Sequence, residues 1–483
     1  MSRILFTHSY FYRFDPKQWK AGQPYPPYGT LCAAALLREC GFEVDLFDTN
    51  LRHSPDEILP VLALQKPKYL VLYDDGFNYL TKMCLTRMRE AAFRMTKYAK
   101  AQGCTVLVSS SDSTDHYEEY LREGADFVLL GEGEITLREL ILALESGKSH
   151  FDDIQGLAFL PAPPHNGPFR TPPRPVLTDL DSLPDPAWDL VDMEAYRAVW
   201  MERHGYFSLN LATTRGCPFK CNWCAKPIYG NRYNSRSPQR VAQEIDLLIR
   251  QYGVHYFWMA DDIFGLKPRW AQAFRDIVRE KGLQFQYKIQ SRVDLLLLED
   301  TISALAASGL RQVWVGAESG SQSILDAMDK GTRVEEIREA TRLLKQKDIE
   351  VCFFLQFGYL GETMADIEKT IALVEELLPH DIGISVSYPL PGTKFYEKVK
   401  DLLGVKKNWT DSDDLAMMYP ATFKPAFYRR LHRLVHKRFR LQQGLEQWRQ
   451  LFRTGHCQVR RAALVLYYAP AALVDGWRLQ MLQ

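Results

Sequence analysis

The sequence lacks a long uninterrupted hydrophobic run, and its first residues, MSRILFTHSY, have no apolar stretch after a basic start. The missing pattern argues against a signal peptide and a disulfide-forming compartment, so we expect a cytoplasmic protein. The most apolar segment, 462–482, contains Pro470, Asp475 and Arg478, whereas a membrane-spanning helix needs about 20 apolar residues with few charges. A spanning helix is therefore not expected there, which leaves a buried helix or an interfacial helix with basic flanks.

No sign of charge dominates the sequence, because its 483 residues include 60 Lys and Arg and 59 Asp and Glu. That balance by itself is uninformative about partners. The charges are unevenly placed, however: residues 424–483 hold 12 basic and 2 acidic residues, a net charge of +10 against −9 for the remainder. The asymmetry predicts an anionic partner surface or substrate.

The nine cysteines do not form the even set that a disulfide framework requires. Three of them, Cys217, Cys221 and Cys224, lie in the segment RGCPFKCNWCA with the spacing C-x3-C-x2-C. Thiolates are soft ligands suited to iron–sulfur clusters, and three ligands leave one iron of a four-iron cluster open to an outside ligand. Zinc, the alternative, usually takes a fourth ligand, and neither His204 nor His255 follows the cysteines at the usual spacing.

Strand and helix patterns divide the chain into four regions. Residues 1–150 alternate short apolar runs with helical patterns, which predicts a doubly wound, Rossmann-like domain of flavodoxin type with strands at 4–7, 43–47, 69–73, 105–109 and 127–130. Residues 151–204 contain nine prolines and predict a linker. Residues 205–405 contain six strand–helix units, which predict a partial (β/α)6 TIM barrel, and residues 406–483 predict a basic helical C-terminal region.

The C-x3-C-x2-C segment follows the first predicted barrel strand, and in this position it resembles the signature of the radical S-adenosylmethionine (SAM) enzymes. Later segments also resemble that family at the ends of successive strands: 257–262, 290–294, 316–321, 357–363 and 389–393. In 357–363, Leu360 stands where the family usually has proline. The resemblance implies a 4Fe-4S cluster on the three cysteines, with SAM chelating the open iron and yielding a radical that abstracts hydrogen from an unactivated carbon.

The same resemblance implies which side chains contact the cofactors. One of Asp261 and Asp262 is expected to bind the SAM amino group, although an adjacent acidic pair at a strand end is often only a helix cap. Arg292 is expected to bind the SAM carboxylate or an internal carboxylate. Four further polar or aromatic residues are expected near the cluster or SAM: Trp223, Glu318, Ser319 and Ser321.

Two N-terminal segments, 26–31 and 126–134, resemble the cobalamin-binding domains fused to radical SAM barrels in the hopanoid methylases and the anaerobic magnesium-protoporphyrin ester cyclases. The resemblance implies cobalamin, with Gly131 and Gly133 letting the backbone approach the corrin ring; a plain turn is the alternative. The sequence has no Asp-x-His-x-x-Gly motif to supply a histidine to cobalt, and residues 109–115 differ from the usual glycine- and proline-rich loop.

These resemblances predict a cobalamin-dependent radical SAM enzyme that methylates an unactivated carbon of a small molecule or lipid. A cyclase or rearrangement enzyme of the same architecture, or a cofactor-binding sensor without turnover, remain alternatives. The family implies an external electron donor of flavodoxin or ferredoxin type. No catalytic residue beyond the cofactor contacts is assigned. Without a recognised nucleic-acid module we expect no nucleic acid, and the basic tail suggests a peripheral membrane contact instead.

Overall fold

The computed structural model describes residues 2–78, 81, 85–161, 167–226, 228–404, 406 and 408–482. The chain divides into two compact units. The first comprises Met1–Pro218, Lys226–Tyr287 and Asn408–Asp414, and the second comprises Phe219–Ala225, Lys288–Lys407 and Leu415–Gln483.

The strands are β1 (Arg3–Thr7), β2 (Glu43–Phe47), β3 (Tyr69–Tyr73), β4 (Thr105–Ser109), β5 (Phe127–Leu129), β6 (Leu157–Phe159), β7 (Phe169–Arg170), β8 (Ser208–Leu211), β9 (Thr214–Arg215), β10 (Asn234–Ser235), β11 (Tyr256–Met259), β12 (Gln286–Ser291), β13 (Leu310–Glu318), β14 (Glu350–Phe357) and β15 (Asp381–Val386).

The α-helices are α1 (Pro16–Ala21), α2 (Tyr28–Glu39), α3 (Ile58–Gln65), α4 (Thr86–Ala101), α5 (Ser111–Asp115), α6 (Tyr117–Arg122), α7 (Glu134–Glu145), α8 (Met193–His204), α9 (Pro238–Tyr252), α10 (Trp270–Glu280), α11 (Val293–Leu296), α12 (Thr301–Ala307), α13 (Gln322–Ala327), α14 (Val334–Gln346), α15 (Met364–Leu377), α16 (Lys394–Val399), α17 (Pro425–Thr454), α18 (Val459–Ala463) and α19 (Val465–Gln480).

The first unit contains a seven-stranded sheet of order β2-β1-β3-β4-β5-β6-β7. Strands β1 to β5 are parallel, whereas β6 and β7 add in antiparallel orientation. All five residues of β3, YLVLY, are buried, as expected for a central parallel strand covered on both faces. The order 2-1-3-4-5 is that of flavodoxin-like domains, in which ligands bind at the carboxyl ends of the strands.

Apolar side chains of helices cover both faces of this sheet. Ala33 and Leu37 of α2 pack with Leu137 and Leu140 of α7 in one core cluster. A second cluster contains the apolar residues of α3 and α4, which are Ile58, Leu62, Ala92, Met95 and Ala99. The loops that follow β3, β4 and β5 therefore lie together at one edge of a rigid scaffold. The prediction of a doubly wound N-terminal domain is confirmed, and the division of the chain into four regions stays a prediction.

The remaining strands of the first unit include β8 and β11, which pair in parallel with Asn210 opposite Trp258. Between them lies α9, which begins where the Ser237 hydroxyl accepts a 3.1 Å hydrogen bond from the Arg240 amide. It ends at Gly253, whose left-handed conformation terminates helices. These elements hold both ends of the segment that carries the first cysteine.

The second unit is built on parallel pairs β13–β14 and β14–β15. The register of β13 shifts between Gly316 and Glu318 at its carboxyl end. On one face of β13, Val313, Val315 and Ala317 are fully buried. The other face carries Trp314, which stacks on Phe354 of β14 with ring centroids 4.7 Å apart.

The C-terminal part of the second unit is helical, as the sequence predicts. Helix α17 is 30 residues long, and its buried face includes Phe427, Leu431 and Phe439. It is followed by α18 and α19, which both pack against it. Within the described part of the chain, no helix combines the length and apolar character needed to traverse a bilayer.

Candidate functional site

The segment entering the cysteine motif is fixed by a tight turn in the first unit. Gly216 has φ of +79°, and a Cβ atom there would lie 2.5 Å from the carbonyl oxygen of Arg232. Only glycine fits this close backbone approach. The thiol of Cys217, the next residue, is half-buried.

Asp261 holds the same segment from the end of β11. Its Oδ1 accepts hydrogen bonds from the amides of Thr213 (2.7 Å) and Thr214 (2.9 Å), and the Thr213 hydroxyl donates to its Oδ2. Burial raises the pKa of Asp261 to about 6. Its carboxylate thus orders the chain three to four residues before Cys217. Asp262 is exposed on the same loop.

Arg215 precedes the turn and forms a buried ion-pair network with two glutamates. Its guanidinium contacts Glu132 and lies 2.8 Å from Glu134, and all three side chains are largely excluded from solvent. Burial is the largest influence on Glu132 and raises its pKa despite the charge of Arg215. The network therefore connects the cysteine segment to the loop after β5 within the first unit.

Cys221 and Cys224 belong to the second unit, and Cys221 lies in a positively charged environment. The Arg292 Nη1 atom is 4.0 Å from the Cys221 sulfur, and the guanidinium stacks 3.8 Å above the Phe219 ring. Lys330 is also buried nearby; burial alone would lower its pKa, but the charges of Glu318 and Cys221 raise it. Neighbouring cations favour a thiolate, which is the form that binds iron.

Arg292 and Glu318 already have partners in the protein. The guanidinium of Arg292 pairs with Asp294 at 3.0 Å and donates to the Lys330 carbonyl at 2.8 Å. Glu318 pairs with the Lys330 ammonium at 2.9 Å. Glu318 also has φ of +57°, a strained conformation for a residue other than glycine, at the point where the β13 register shifts. These buried charges form one network beside Cys221.

The serines predicted to contact SAM are buried and hydrogen-bonded within the second unit. The Ser319 hydroxyl lies 3.1 Å from that of Thr370. Ser321 donates to Asp366 at 2.6 Å. Both side chains thus fix the loop after β13 onto α15.

Asn222, between the last two cysteines, uses its backbone and its side chain to anchor the loop. Its amide donates to the Met328 carbonyl at 3.0 Å, and its Nδ2 donates to the Ala327 carbonyl at 2.7 Å. Its carbonyl accepts from the Phe395 amide at 2.9 Å, and its Oδ1 accepts from the Tyr359 hydroxyl at 2.8 Å. Four hydrogen bonds therefore hold the spacer of the motif.

Trp223 packs against a core cluster that includes Met328, Tyr359 and Phe395. Its Nε1 donor is buried and has no hydrogen-bond partner among the described residues. Because buried donors are almost always paired, this orphaned N–H next to Cys224 is the kind of group that a bound ligand completes. Within the second unit, the half-buried thiols of Cys221 and Cys224, the cations beside Cys221 and this donor fit ligands of a 4Fe-4S cluster with SAM.

A second candidate site lies at the carboxyl ends of β3, β4 and β5 in the first unit. The cavity there is lined by Gly29, Tyr73, Asp74, Asp75, Gly76, Thr81, Ser109, Ser110, Ser111, Gly131, Glu134, Ile228 and Tyr229. No histidine is among these lining residues. The Oε2 atom of Glu134 is buried there without a hydrogen-bond partner among the described residues. Gly131, with φ of +73°, lines this space.

Gly133 differs from Gly131 in what surrounds it. A Cβ atom on Gly133 would lie 2.6 Å from the Ser109 hydroxyl and 3.1 Å from the Tyr73 ring. Its small size is therefore required by packing inside the protein. Burial raises the pKa of Asp74, another lining residue, to about 6, against the hydrogen bonds that it accepts from Ser9.

Several residues that shape these sites are not predicted from the sequence. Arg215, Asn222 and Tyr359 lie within segments that resemble the family, but their partners are distant in sequence. The same holds for Lys330, which lies outside those segments, so no local pattern indicates these contacts. Glu362 has the clearest local signal, because it lies in the family-like segment 357–363. Its Oε2 accepts from the Gly358 amide at 2.6 Å, and burial raises its pKa to about 8.

Comparison with known proteins agrees with these sites. Residues 211–374 match the Radical SAM superfamily. The chain is 30% identical to an uncharacterized methyltransferase from Pyrococcus horikoshii over 59% of its own length and 60% of the relative. It is 26% identical to the anaerobic magnesium-protoporphyrin IX monomethyl ester cyclase of Rubrivivax gelatinosus, over 83% of the chain and 71% of that protein.

Two solved structures share the fold. The radical SAM methyltransferase TsrM from Kitasatospora setae, with cobalamin and a [4Fe-4S] cluster bound, superposes with a TM-score of 0.68 at 20% identity, over 89% of this chain and 82% of TsrM. The cobalamin-dependent SAM radical enzyme OxsB, with aqua-cobalamin bound, gives 0.74 at 16% identity over 99% of this chain and 72% of OxsB. The predicted fold class, including the partial (β/α)6 barrel, is confirmed.

The chain spans 60%, 71%, 63% and 45% of the lengths of four relatives, the Pyrococcus methyltransferase and three magnesium-protoporphyrin cyclases. The family match begins at residue 211 and includes the cysteine motif, Cys217, Cys221 and Cys224. The predicted resemblance is thereby confirmed: residues 211–374 match the Radical SAM superfamily, and the relatives of the chain include proteins named as methyltransferases and as magnesium-protoporphyrin cyclases.

Proposed function

We propose that the protein is a cobalamin-dependent radical SAM enzyme that methylates an unactivated carbon of a small molecule or lipid. The observation that carries this proposal is the cysteine loop, whose thiols lie in a cationic, anchored setting within a radical SAM domain. The cavity at the strand ends of the flavodoxin-like sheet supports cobalamin, as does the likeness to TsrM and OxsB.

In this proposal Cys217, Cys221 and Cys224 bind three irons of a 4Fe-4S cluster and leave the fourth to SAM. Arg292 and Lys330 stabilise the thiolate of Cys221, and the Trp223 N–H donates to the bound ligand. One of Asp261 and Asp262 binds the SAM amino group; Asp261 also accepts from the Thr213 and Thr214 amides, and Asp262 is exposed. When bound, the cofactors supply the radical and the methyl group, and the protein orients them and excludes water.

The cobalamin proposal rests on Gly131, Glu134 and three serines at the carboxyl end of β4, which are Ser109, Ser110 and Ser111. These residues offer small size, hydrogen-bond donors and an orphaned acceptor at the edge where flavodoxin-like domains bind ligands. The described residues that line the cavity would hold the corrin through small side chains and polar groups, and they include no histidine.

The stacked pair Trp314 and Phe354 supports an apolar or aromatic substrate. Both rings are half-exposed, and Gly383 on β15 is next to them: a Cβ there would meet each ring at 3.3 Å. Aromatic faces of this kind bind flat or hydrophobic molecules.

An external protein of flavodoxin or ferredoxin type supplies the electrons. The enzyme acts in the cytoplasm, with its C-terminal region at a membrane surface.

The second candidate is a non-methylating cyclase of the same architecture, favoured by the similarity to the magnesium-protoporphyrin cyclases over 83% of the chain. The two are separated by feeding methyl-labelled methionine to cells with and without the gene. Methylation predicts a product that gains one labelled methylene unit. Deoxyadenosine release by the purified, reconstituted protein together with no labelled product would establish the cyclase or rearrangement reading instead.

A direct test of cobalamin is its retention after anaerobic purification with added hydroxocobalamin. We expect about one corrinoid per chain for the wild type, with an absorbance spectrum of the base-off form, because no lining histidine is available. The control is Gly147→Val, in an open exposed turn where nothing lies within 4 Å of an added Cβ. Gly131→Val should lose corrinoid while keeping iron. Equal corrinoid in wild type, control and Gly131→Val would contradict the assigned cavity.

A further inference from the structure

Helix α19 exposes apolar side chains and buries its acidic one, the reverse of the arrangement in a normal surface helix. Large apolar side chains point outward: Leu466 is 83% exposed, Leu473 76%, Trp477 63% and Met481 69%. These residues recur at helical spacing and so share one side of the helix. A helix at a protein–water boundary ordinarily places such residues against the core.

The acidic residue of the helix, by contrast, points inward. Asp475 is 2% exposed, and its carboxylate accepts from Arg430 and Lys437 of α17, each at 2.6 Å. Buried ion pairs fix the orientation of a helix, because breaking a pair leaves a buried charge without its partner. The outward apolar face of α19 is therefore held in place by the packing of the second unit.

Cations surround this face. Arg433 and Arg478 are exposed beside the groove between α17 and α19, which Pro470 and Val474 also line. Arg460 and Arg461 are exposed just before the helix. Asp475 is the only acidic residue after position 458, and its charge is already neutralised. The surface thus combines apolar side chains with uncompensated positive charge.

This combination matches the boundary between the headgroups and acyl chains of an anionic bilayer. Apolar residues insert there, arginines contact acidic headgroups, and the amphipathic rings of Tyr467 and Trp477 suit the interface. We infer that the outer face of α19, with Leu466, Leu473, Trp477 and Met481 and the arginine rim, docks on an anionic lipid surface. The inference extends the membrane contact of the proposed function and does not depend on methyl transfer.

The test is cosedimentation of the full cluster-loaded protein with vesicles. Vesicles of equal parts phosphatidylcholine and phosphatidylglycerol should bind the wild type, and added salt should weaken binding. The double variant Leu473→Ser/Trp477→Ser should lose at least about tenfold in affinity, because it removes apolar side chains that would be buried in the bilayer. The variant should still fold, since both side chains lie outside the core. The matched control is Leu64→Ser/Leu160→Ser, two exposed leucines of the first unit, which should bind as the wild type does.

Charge is tested separately with Arg433→Gln/Arg478→Gln, which should weaken binding to the anionic vesicles about tenfold or more. Equal binding to pure phosphatidylcholine vesicles would overturn the anionic requirement. No vesicle binding, with self-association that Leu473→Ser/Trp477→Ser abolishes, would assign the face to a second copy of the chain and overturn the inference. Deoxyadenosine release measured on the same samples without vesicles shows independently whether the proposed enzyme function holds.

Discussion

The hydroxyl of Tyr359 donates a 2.8 Å hydrogen bond to the Oδ1 atom of Asn222, the residue between Cys221 and Trp223. The same hydroxyl lies 2.9 Å from the Ala327 carbonyl, which also accepts from the Asn222 side chain. The ring of Tyr359 stacks on Phe395, whose amide donates to the Asn222 carbonyl. The end of β14 and two neighbouring loops thus fix the spacer between two cluster cysteines.

Removing this hydroxyl should loosen the cysteine loop without unfolding the protein. Tyr359→Phe keeps the stacked ring but leaves Asn222 Oδ1 unpaired, which should cost about 1–3 kcal/mol of unfolding free energy. We expect broadened cluster signals in electron paramagnetic resonance and slower deoxyadenosine release. Tyr396→Phe, on the half-exposed side of α16, is the control. Identical spectra for all three proteins would show that the contact does not position the cluster.

The three cysteines should be individually necessary for the cluster. Replacing Cys217, Cys221 or Cys224 with serine substitutes a hard, weakly acidic hydroxyl for a thiolate, so iron and sulfide content should fall to near background after reconstitution. Cys457→Ser is the matched control, because this thiol lies outside the motif and is also half-buried. A variant of the motif that kept full iron content and its absorbance near that of the wild type would contradict the ligand assignment.

Breaking the Arg215 ion-pair network should strongly lower the free energy of unfolding. Arg215→Leu leaves the buried carboxylates of Glu132 and Glu134 without their cation, so the free energy of unfolding should fall by about 3–5 kcal/mol. Urea denaturation measures this change. Arg38→Leu breaks the solvent-exposed pair with Asp189 and should cost within about 1 kcal/mol. Equal losses in the two variants would mean that the buried network contributes no more than a surface pair.

Glu362 should make stability depend on pH above the acidic range. Burial raises its folded pKa to about 8, with an added effect of Asp366, so the folded state binds a proton that the unfolded state releases near pH 4.5. Stability should therefore fall as pH rises between these values, by up to about 5 kcal/mol in all and by about 2–3 kcal/mol between pH 6 and 8. The carboxyls with pKa near 6, Asp74, Asp115 and Asp261, contribute below that value.

The window from pH 6 to 8 thus isolates Glu362. Glu362→Gln, which is neutral at every pH, should show a flatter profile of unfolding free energy across this window. Glu339→Gln, at a fully exposed site on α14, should follow the wild-type slope. Parallel profiles for wild type and Glu362→Gln would show that this carboxyl is ionised in the folded protein at neutral pH.

Regular elements with strong apolar patterns are well predicted from the sequence. The predicted strands 69–73 and 105–109 coincide with β3 and β4 at both ends, because each is a continuous apolar run bounded by loops. The short helix α5 (Ser111–Asp115) is not predicted, since its sequence, SDSTD, has no apolar period. It is stabilised by a reciprocal cap between Ser110 and Ser113, at 2.8 and 2.9 Å.

The candidate site is predicted where a motif carries the chemistry and missed where tertiary contacts do. The cysteine spacing predicts the cluster ligands from three residues. The environment of Cys221 depends on Lys330, whose position 109 residues along the chain is set by folding. Likewise, Asp261 and Ser321 are found at the predicted strand ends, but only the structure shows that Thr213 and Asp366 already engage them.

The saturated hydrogen bonding of Asn222 bears on how freely the cysteine loop can be transplanted. A designer who grafted the eleven residues from Arg215 to Ala225 onto another barrel would transfer the iron ligands but lose the carbonyls, amide and phenol that hold the spacer. The loop is therefore not a self-contained module. The smallest segment set that could be transferred includes the turn at Ala327 and Met328, Tyr359 after β14 and the start of α16.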